Sequence, residues 1–123
     1  MTASPIDPPI SDLVRIDVSG SAPSVRVIVD GEIDATSAPV LRERLAGLLD
    51  DGVTDLTVDL TAVSFLDSAG LCVLAATYRR MSAENHRLRV LAGSRAVIRP
   101  LQITGLYDLL QVETVAAGAV GAA

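Results

Sequence analysis

Ser68 stands in the string Leu66-Asp-Ser-Ala-Gly-Leu71, with an acid before it and two small residues after it. A serine hydroxyl so placed has two chemistries open to it, as a nucleophile in acyl transfer or as an acceptor of a phosphoryl group. The first needs a base within hydrogen-bond reach and, in the common α/β arrangement, a Gly-x-Ser-x-Gly elbow. That elbow is absent, and the sole histidine, His86, lies in the polar string Ala83-Glu-Asn-His86 at the far end of the helix that Ser68 is predicted to start. At 1.5 Å per residue the two are separated by more than ~20 Å, which excludes a Ser–His pair, and no enzymatic activity is expected. A Gly-x-x-x-x-Gly-Lys phosphate loop is also missing, because all ten basic residues are arginine. The arginine-only composition is read as the codon bias of a GC-rich genome.

Other reactive groups are few. Cys72 is the only cysteine, so neither an internal disulfide nor a cysteine-based metal cluster can form. One turn into an apolar helix, it reads as a small buried hydrophobe. A single histidine excludes a His-rich metal site, and no cofactor is expected. The formal net charge of −5 is a poor match for a surface that must attract phosphates, so no direct nucleic-acid partner is expected. The most apolar stretch, Val63 to Ala76, contains Asp67 and Ser68 and is too short to span a bilayer, which takes ~20 residues. Met1-Thr-Ala-Ser-Pro-Ile-Asp-Pro-Pro9 has neither a basic start nor an apolar run, so it does not read as a signal peptide. A soluble, cytoplasmic protein is expected.

Ser68 must be positioned by a strand before it and a helix after it. Leu56-Thr-Val-Asp-Leu60 and Val63-Ser-Phe-Leu66 are strand-like, and from Ser68 to about Met81 the pattern turns helical, with Leu71, Leu74, Ala75 and Tyr78 on one side. Upstream, Leu13–Val18 and Val25–Val29 read as an edge hairpin, with Ser19-Gly-Ser-Ala-Pro23 as its loop. A helix then carries Leu41, Leu45, Leu48 and Leu49 on one face, with Pro39 in its first turn and Ser37 as its cap, and Asp50-Asp-Gly52 ends it. Leu88–Ala92 is a further strand, followed by short helices to about Leu101 and over 105–110. Strand, helix, strand, helix, strand predicts parallel central strands with right-handed crossovers. The expected class is α/β: one domain over 12–112, a mixed, mostly parallel four-stranded sheet with an antiparallel edge strand and helices packed on it. Residues 1–11, with three prolines, and 113–123, rich in alanine and glycine, are expected to be flexible ends.

Such sheets place their active edge at the carboxyl ends of the strands. Two acidic turns fall there in this reading, Asp30-Gly-Glu-Ile-Asp34 and the segment around Asp67 and Ser68. The small residues Ala69 and Gly70 leave room for another backbone, which offsets the ~1 kcal/mol that glycine costs against alanine in a helix.

Gly31-Glu-Ile-Asp34, followed by Asp59-Leu-Thr-Ala-Val-Ser-Phe-Leu-Asp-Ser-Ala-Gly-Leu71, resembles the STAS domain, in particular bacterial anti-sigma-factor antagonists. The resemblance extends over about 12–112 and includes Gly105-Leu106. It implies that Ser68 is a phosphoacceptor, modified with ATP by an anti-sigma factor that is also a serine kinase and restored by a PP2C-type phosphatase. The unphosphorylated antagonist would bind the anti-sigma factor and free the sigma factor, as a monomer or weak dimer. The family often has Ser or Thr after the phosphoacceptor; Ala69 here leaves one candidate hydroxyl, and Cys72 replaces a common glycine. By this resemblance Asp67, Ala69, Gly70 and Leu71 form the contact surface around Ser68, and Glu32 and Asp34 its acidic rim. Related settings are a stressosome component or the accessory subunit of a lipid transporter. A different class is a small-ligand sensor using the strand-end crevice.

Phosphorylation adds about −1.5 to −2 charges and three acceptor oxygens. A helix start tolerates an anion through its free N–H groups and dipole. The domain should therefore stay folded while the acidic patch that a partner must accept deepens.

Overall fold

In the computed structural model, residues 14–115 are described. The expected N-terminal segment 1–11 and positions 116–123 of the expected tail lie outside them. The elements run β1 (Val14–Ser21), β2 (Ser24–Ile33), α1 (Ala38–Asp50), β3 (Asp55–Leu66), α2 (Ser68–Ala83), β4 (Arg87–Ala92), α3 (Arg95–Ile103), α4 (Leu106–Leu109) and β5 (Glu113–Thr114). They form one five-stranded sheet in the order β1-β2-β3-β4-β5. β1 is antiparallel to β2, and the remaining neighbours are parallel. The expected mixed α/β sheet with an antiparallel edge is what forms.

The fifth strand is the difference in architecture. Glu113 and Thr114, placed in the C-terminal tail from sequence, pair with Leu91 and Ala92. Two residues carry too short a pattern to read as a strand, and only the adjacent edge of β4 gives them partners. Two other boundaries shift. β1 continues through Ser19-Gly-Ser21, so the hairpin loop shrinks to Ala22-Pro23. The two strand-like runs at 56–60 and 63–66 are one strand, interrupted only by register shifts against β2.

β2, β3, β4 and β5 each step one place along the sheet. Right-handed crossovers that all move the same way lay their helices on one face. Val25, Val27, Val29, Leu56, Val58, Leu60, Val90 and Ala92 point to that face and are buried. They join Leu41, Leu45, Val73, Leu74, Val97 and Leu101 from the helices in a single core. Among the described residues no helix is long and apolar enough to cross a membrane.

Alternation in each strand sends the intervening side chains to the other face. Asp59 is there, 3% exposed, between its lateral neighbours Ile28 and Leu91. Its Oδ2 accepts from the Arg26 guanidinium at 2.7 Å, and its Oδ1 accepts from the Thr61 hydroxyl at 2.6 Å and the Thr61 N–H at 3.0 Å. Burial pushes this carboxyl up, but the Thr61 hydroxyl, the Arg26 guanidinium and the Thr61 N–H together outweigh it, and the net shift is below the ordinary value. The cluster ties β2 to β3 just before β3 runs on past the end of β4.

Candidate functional site at the carboxyl edge of the sheet

β3 pairs with β4 only as far as Leu60–Ala92, so β2 is the only strand paired with its last six residues, and the Ser94 hydroxyl adds a bond to the Val63 carbonyl at 3.2 Å. Two register shifts in that stretch, between Ile28 and Asp30 and between Gly31 and Glu32, let the ribbon twist. Gly31, at φ +114°, supplies a backbone conformation that other residues rarely adopt. The string Asp30-Gly-Glu-Ile-Asp34, expected as a turn, is therefore mostly strand and ends in a turn only after Ile33.

That turn is built on Asp34. Its Oδ1 accepts from the Thr36 hydroxyl at 2.7 Å, the Thr36 N–H at 2.9 Å and the Ser37 N–H at 3.1 Å. These bonds, led by that from the Thr36 hydroxyl, hold the Asp34 carboxyl below its ordinary range. Ser37 does not cap α1 with its side chain, contrary to the sequence expectation. It is buried, donates to the Glu32 carbonyl at 2.7 Å and accepts from the Asp34 N–H at 2.9 Å. Pro39 does occupy the first turn of α1.

β3 passes into α2 through one residue, Asp67. Its N–H donates to the Ile33 carbonyl at 3.1 Å, which fixes it beside the end of β2. Its Oδ1 accepts from the Ala69 and Gly70 N–H groups at 2.9 and 3.4 Å, so Asp67 is the N-cap of α2. Ser68 is freed from capping. It is the first residue of the helix and exposed, and none of the described residues hydrogen-bonds its hydroxyl. Asp67→Ala should cost about 1 kcal/mol of stability through the lost cap, whereas Asp67→Asn should keep most of it. Thermal denaturation of the two variants distinguishes capping from a role confined to the surface.

Gly70 departs from the expected contact surface because it is buried. A Cβ there would lie 2.3 Å from Leu66 Cδ1 and 2.7 Å from Ile33 Cγ2. Its small size lets the first turn of α2 press onto the ends of β2 and β3. The Leu66 methyl can rotate away, but the β-branched Ile33 is stiff. Gly70→Ala gains about 1 kcal/mol of helix propensity and loses about 1–3 kcal/mol to overpacking. A lowered melting temperature is expected, with Gly70→Val lower still. Ala69 and Leu71 are half-buried against the core.

Ser68, Asp67, Asp34 and Glu32 are thus gathered at one edge, through the pairing of Glu32 with Phe65 and of Ile33 with Leu66. Asp30 is an exposed strand residue opposite Arg15. Two positions of note at this edge escaped sequence reasoning. Cys72 is exposed rather than buried, one helical turn after Ser68 and on its face of α2. Phe65, in an apolar run that reads as core, is 45% exposed. The register shifts decide both strand faces, and they carry no clear sequence signal.

Among the described residues no histidine stands at this edge. α2 has 16 residues and so is about 24 Å long, with His86 just beyond its other end. His86 there lines a cavity of about 230 Å³ with Tyr78, Met81, Ser82, Arg87, Leu88 and Gln111. Among the described residues the strand order never reverses, so the sheet they form has no switch point of the kind at which open α/β sheets hold a ligand crevice. What the edge offers is a protruding hydroxyl in acidic surroundings on a rigid helix start.

The STAS domain family model matches residues 13–119. An anti-sigma-B factor antagonist of Bacillus subtilis is 36% identical over 107 residues, which cover 87% of this chain and 97% of that protein. The crystal structure of an anti-sigma factor antagonist from Mycobacterium paratuberculosis superposes with a TM-score of 0.76 at 34% identity, covering 89% of this chain and 92% of the other. SpoIIAA of Bacillus shares the fold in its unphosphorylated form, with a TM-score of 0.72 at 19% identity over 86% of this chain and 92% of the other. Its phosphorylated form gives 0.66 at 18% identity, over 86% and 96%. The five-stranded sheet with its antiparallel edge, the matched model and these relatives agree: the chain belongs to the STAS domain family, among the bacterial anti-sigma-factor antagonists.

Proposed function

We propose that this chain is a cytoplasmic anti-sigma-factor antagonist that regulates transcription indirectly, by partner switching. Unphosphorylated, it binds an anti-sigma factor that is also a serine kinase. Phosphorylation of Ser68 releases that partner, and a PP2C-type phosphatase restores binding. The observation that carries the reading is the position of Ser68, exposed at the first residue of α2, with its neighbour Asp67 taking over the capping that a serine there would otherwise supply. In this reading Asp67 also orients the hydroxyl during transfer. Glu32 and Asp34 form the acidic rim, and the half-buried Ala69 and Leu71 supply the apolar part of the contact.

The chain is a binding module in this reading, and the kinase brings the chemistry. The phosphoryl group passes from ATP to Ser68 Oγ, ADP leaves, and the hydroxyl proton is lost to the kinase. The phosphate then stands at a helix start whose Ala69 and Gly70 N–H groups are already occupied by Asp67. Sequence reasoning expected those groups to be free for it. The modification therefore adds its charge beside the Asp67 carboxylate that already holds these two donors, which favours control by repulsion of the partner. The likeness of this fold to both forms of SpoIIAA suits a switch that leaves the domain folded.

The test is a pull-down from the native cytosol with wild type and Ser68→Ala as baits, followed by ATP and intact-mass measurement of each bait. The expected result is a kinase released as the wild type gains one phosphate, while Ser68→Ala gains none and keeps its partner. A stable copurifying ATPase with an unmodified bait would instead make the chain an accessory subunit of a transporter.

A further inference from the structure

Phe65 is the only phenylalanine of the chain, and it is 45% exposed. Its direction follows from its neighbours. Ile33 and Leu66, which pair across β2 and β3, both face Gly70 of α2. The preceding pair, Glu32 and Phe65, must therefore point to the opposite face, which carries no helix among the described residues. Phe65 also lies beyond the reach of β4, whose pairing with β3 stops at Leu60. An aromatic ring is thus displayed on a projecting ribbon, three residues before the proposed phosphoacceptor. The exposed Glu32 is the partner of Phe65 on β2, with Asp30 two pairs further down β2 and Asp67 at the ribbon's end. Arg15, opposite Asp30, is the one cation that the strand register places on this part of the face.

We infer that the anti-sigma factor does not stop at the helix start but wraps over the strand edge, and that Phe65 is the apolar anchor of this second contact, entering a hydrophobic socket on the partner whose rim is basic. This rests on the proposed function. The apolar ring fixes the socket, because buried aromatics at the centre of an interface carry a disproportionate share of affinity. The acids around it fix the rim, because a partner acid placed there would repel Glu32 and Asp67, whereas lysine or arginine would be attracted. Two contacts on either side of Ser68 also explain how one phosphate can release the partner. The phosphate stands between the helix contact and the ribbon contact, where a docked surface has least room to move away.

The test uses the anti-sigma factor captured with the wild-type chain, purified, and titrated with Phe65→Ser, Phe65→Leu, Glu32→Arg and Ser68→Asp. Phe65→Ser should weaken binding about tenfold or more, the usual loss at an interface anchor, and Phe65→Leu less. Glu32→Arg should slow association and flatten its salt dependence. Melting curves should be unchanged for all four, since neither Phe65 nor Glu32 belongs to the core. Should Phe65→Ser prove unstable, Phe65→Leu and Glu32→Arg still decide the matter. If the Phe65 and Glu32 variants bind as wild type while Ser68→Asp binds weakly, the ribbon contact is wrong and the partner switch stands. If no variant, including Ser68→Asp, changes binding, both fall together.

Discussion

Ser68→Asp is expected to bind the anti-sigma factor about tenfold or more weakly than wild type, with the circular dichroism spectrum and melting temperature almost unchanged. A tenfold loss needs only ~1.4 kcal/mol of repulsion or steric conflict, well within what a like charge costs in a partly desolvated contact. The fold should not respond, because Ser68 is exposed and Asp67 rather than Ser68 caps α2. A new acid in the first turn even suits the helix dipole. Phosphoserine should bind more weakly than aspartate, since it carries about −1.5 to −2 charges rather than −1. Ser68→Ala should bind as tightly as the unmodified chain and resist release by ATP. Calorimetric titration of the four species gives the order directly; equal affinities for Ser68→Ala and Ser68→Asp would show that charge at this position does not govern binding.

The largest stability effect is expected at Asp59→Ala, remote from the switch. Removing this buried carboxylate leaves the Thr61 N–H, the Thr61 hydroxyl and the Arg26 guanidinium without their acceptor. Breaking a fully buried ion pair costs about 3–5 kcal/mol, and the exposure of Arg26 to water reduces this to about 2 kcal/mol here. For a domain of this size that is roughly 10 °C in melting temperature. Asp59→Asn, which keeps an acceptor for Thr61, should lose less. The same group sets part of the acid limb of stability. Its folded pKa is lowered, so its contribution is complete above the unfolded value near ~3.9 and disappears as pH falls through the lower folded value. Asp34 acts in the same direction. Urea titrations of wild type and Asp59→Asn should differ by a constant stability above about pH 3.9 and converge only as pH falls below it towards the lowered folded value. Parallel curves across that range would remove Asp59 from the account.

Much of this was legible in the residues. The strand and helix periods of 25–29, 56–60 and 68–81 reflect burial on one face, and burial on one face is what helices packed on one side of the sheet impose. The string from Asp59 to Leu71 told of a strand, a tight junction and a helix with small residues in its first turn. What it could not tell was which small residue faced which way. Gly70 turns inward because Ile33 and Leu66 converge on it, and that convergence depends on register shifts in β2 and β3 that no local pattern records. The same shifts carry Phe65 outward. Ser37 leaves α1 without a side-chain cap because its hydroxyl is taken up inside the preceding turn, between the Glu32 carbonyl and the Asp34 N–H. Cys72 looked buried since apolar residues follow it, but α2 packs through Val73, Leu74, Thr77 and Met81, and position 72 falls on the other side.

The central claim is that one phosphate on Ser68 decides whether the chain holds its partner. The most direct measurement is the affinity of one preparation for the purified anti-sigma factor before phosphorylation, after it, and after treatment with a PP2C-type phosphatase, with the modified residue mapped by mass spectrometry. Binding is expected first, then its loss with a single phosphate at Ser68, then full recovery, over an unchanged circular dichroism spectrum. Phosphate on another residue, or an affinity that survives modification of Ser68, would contradict it.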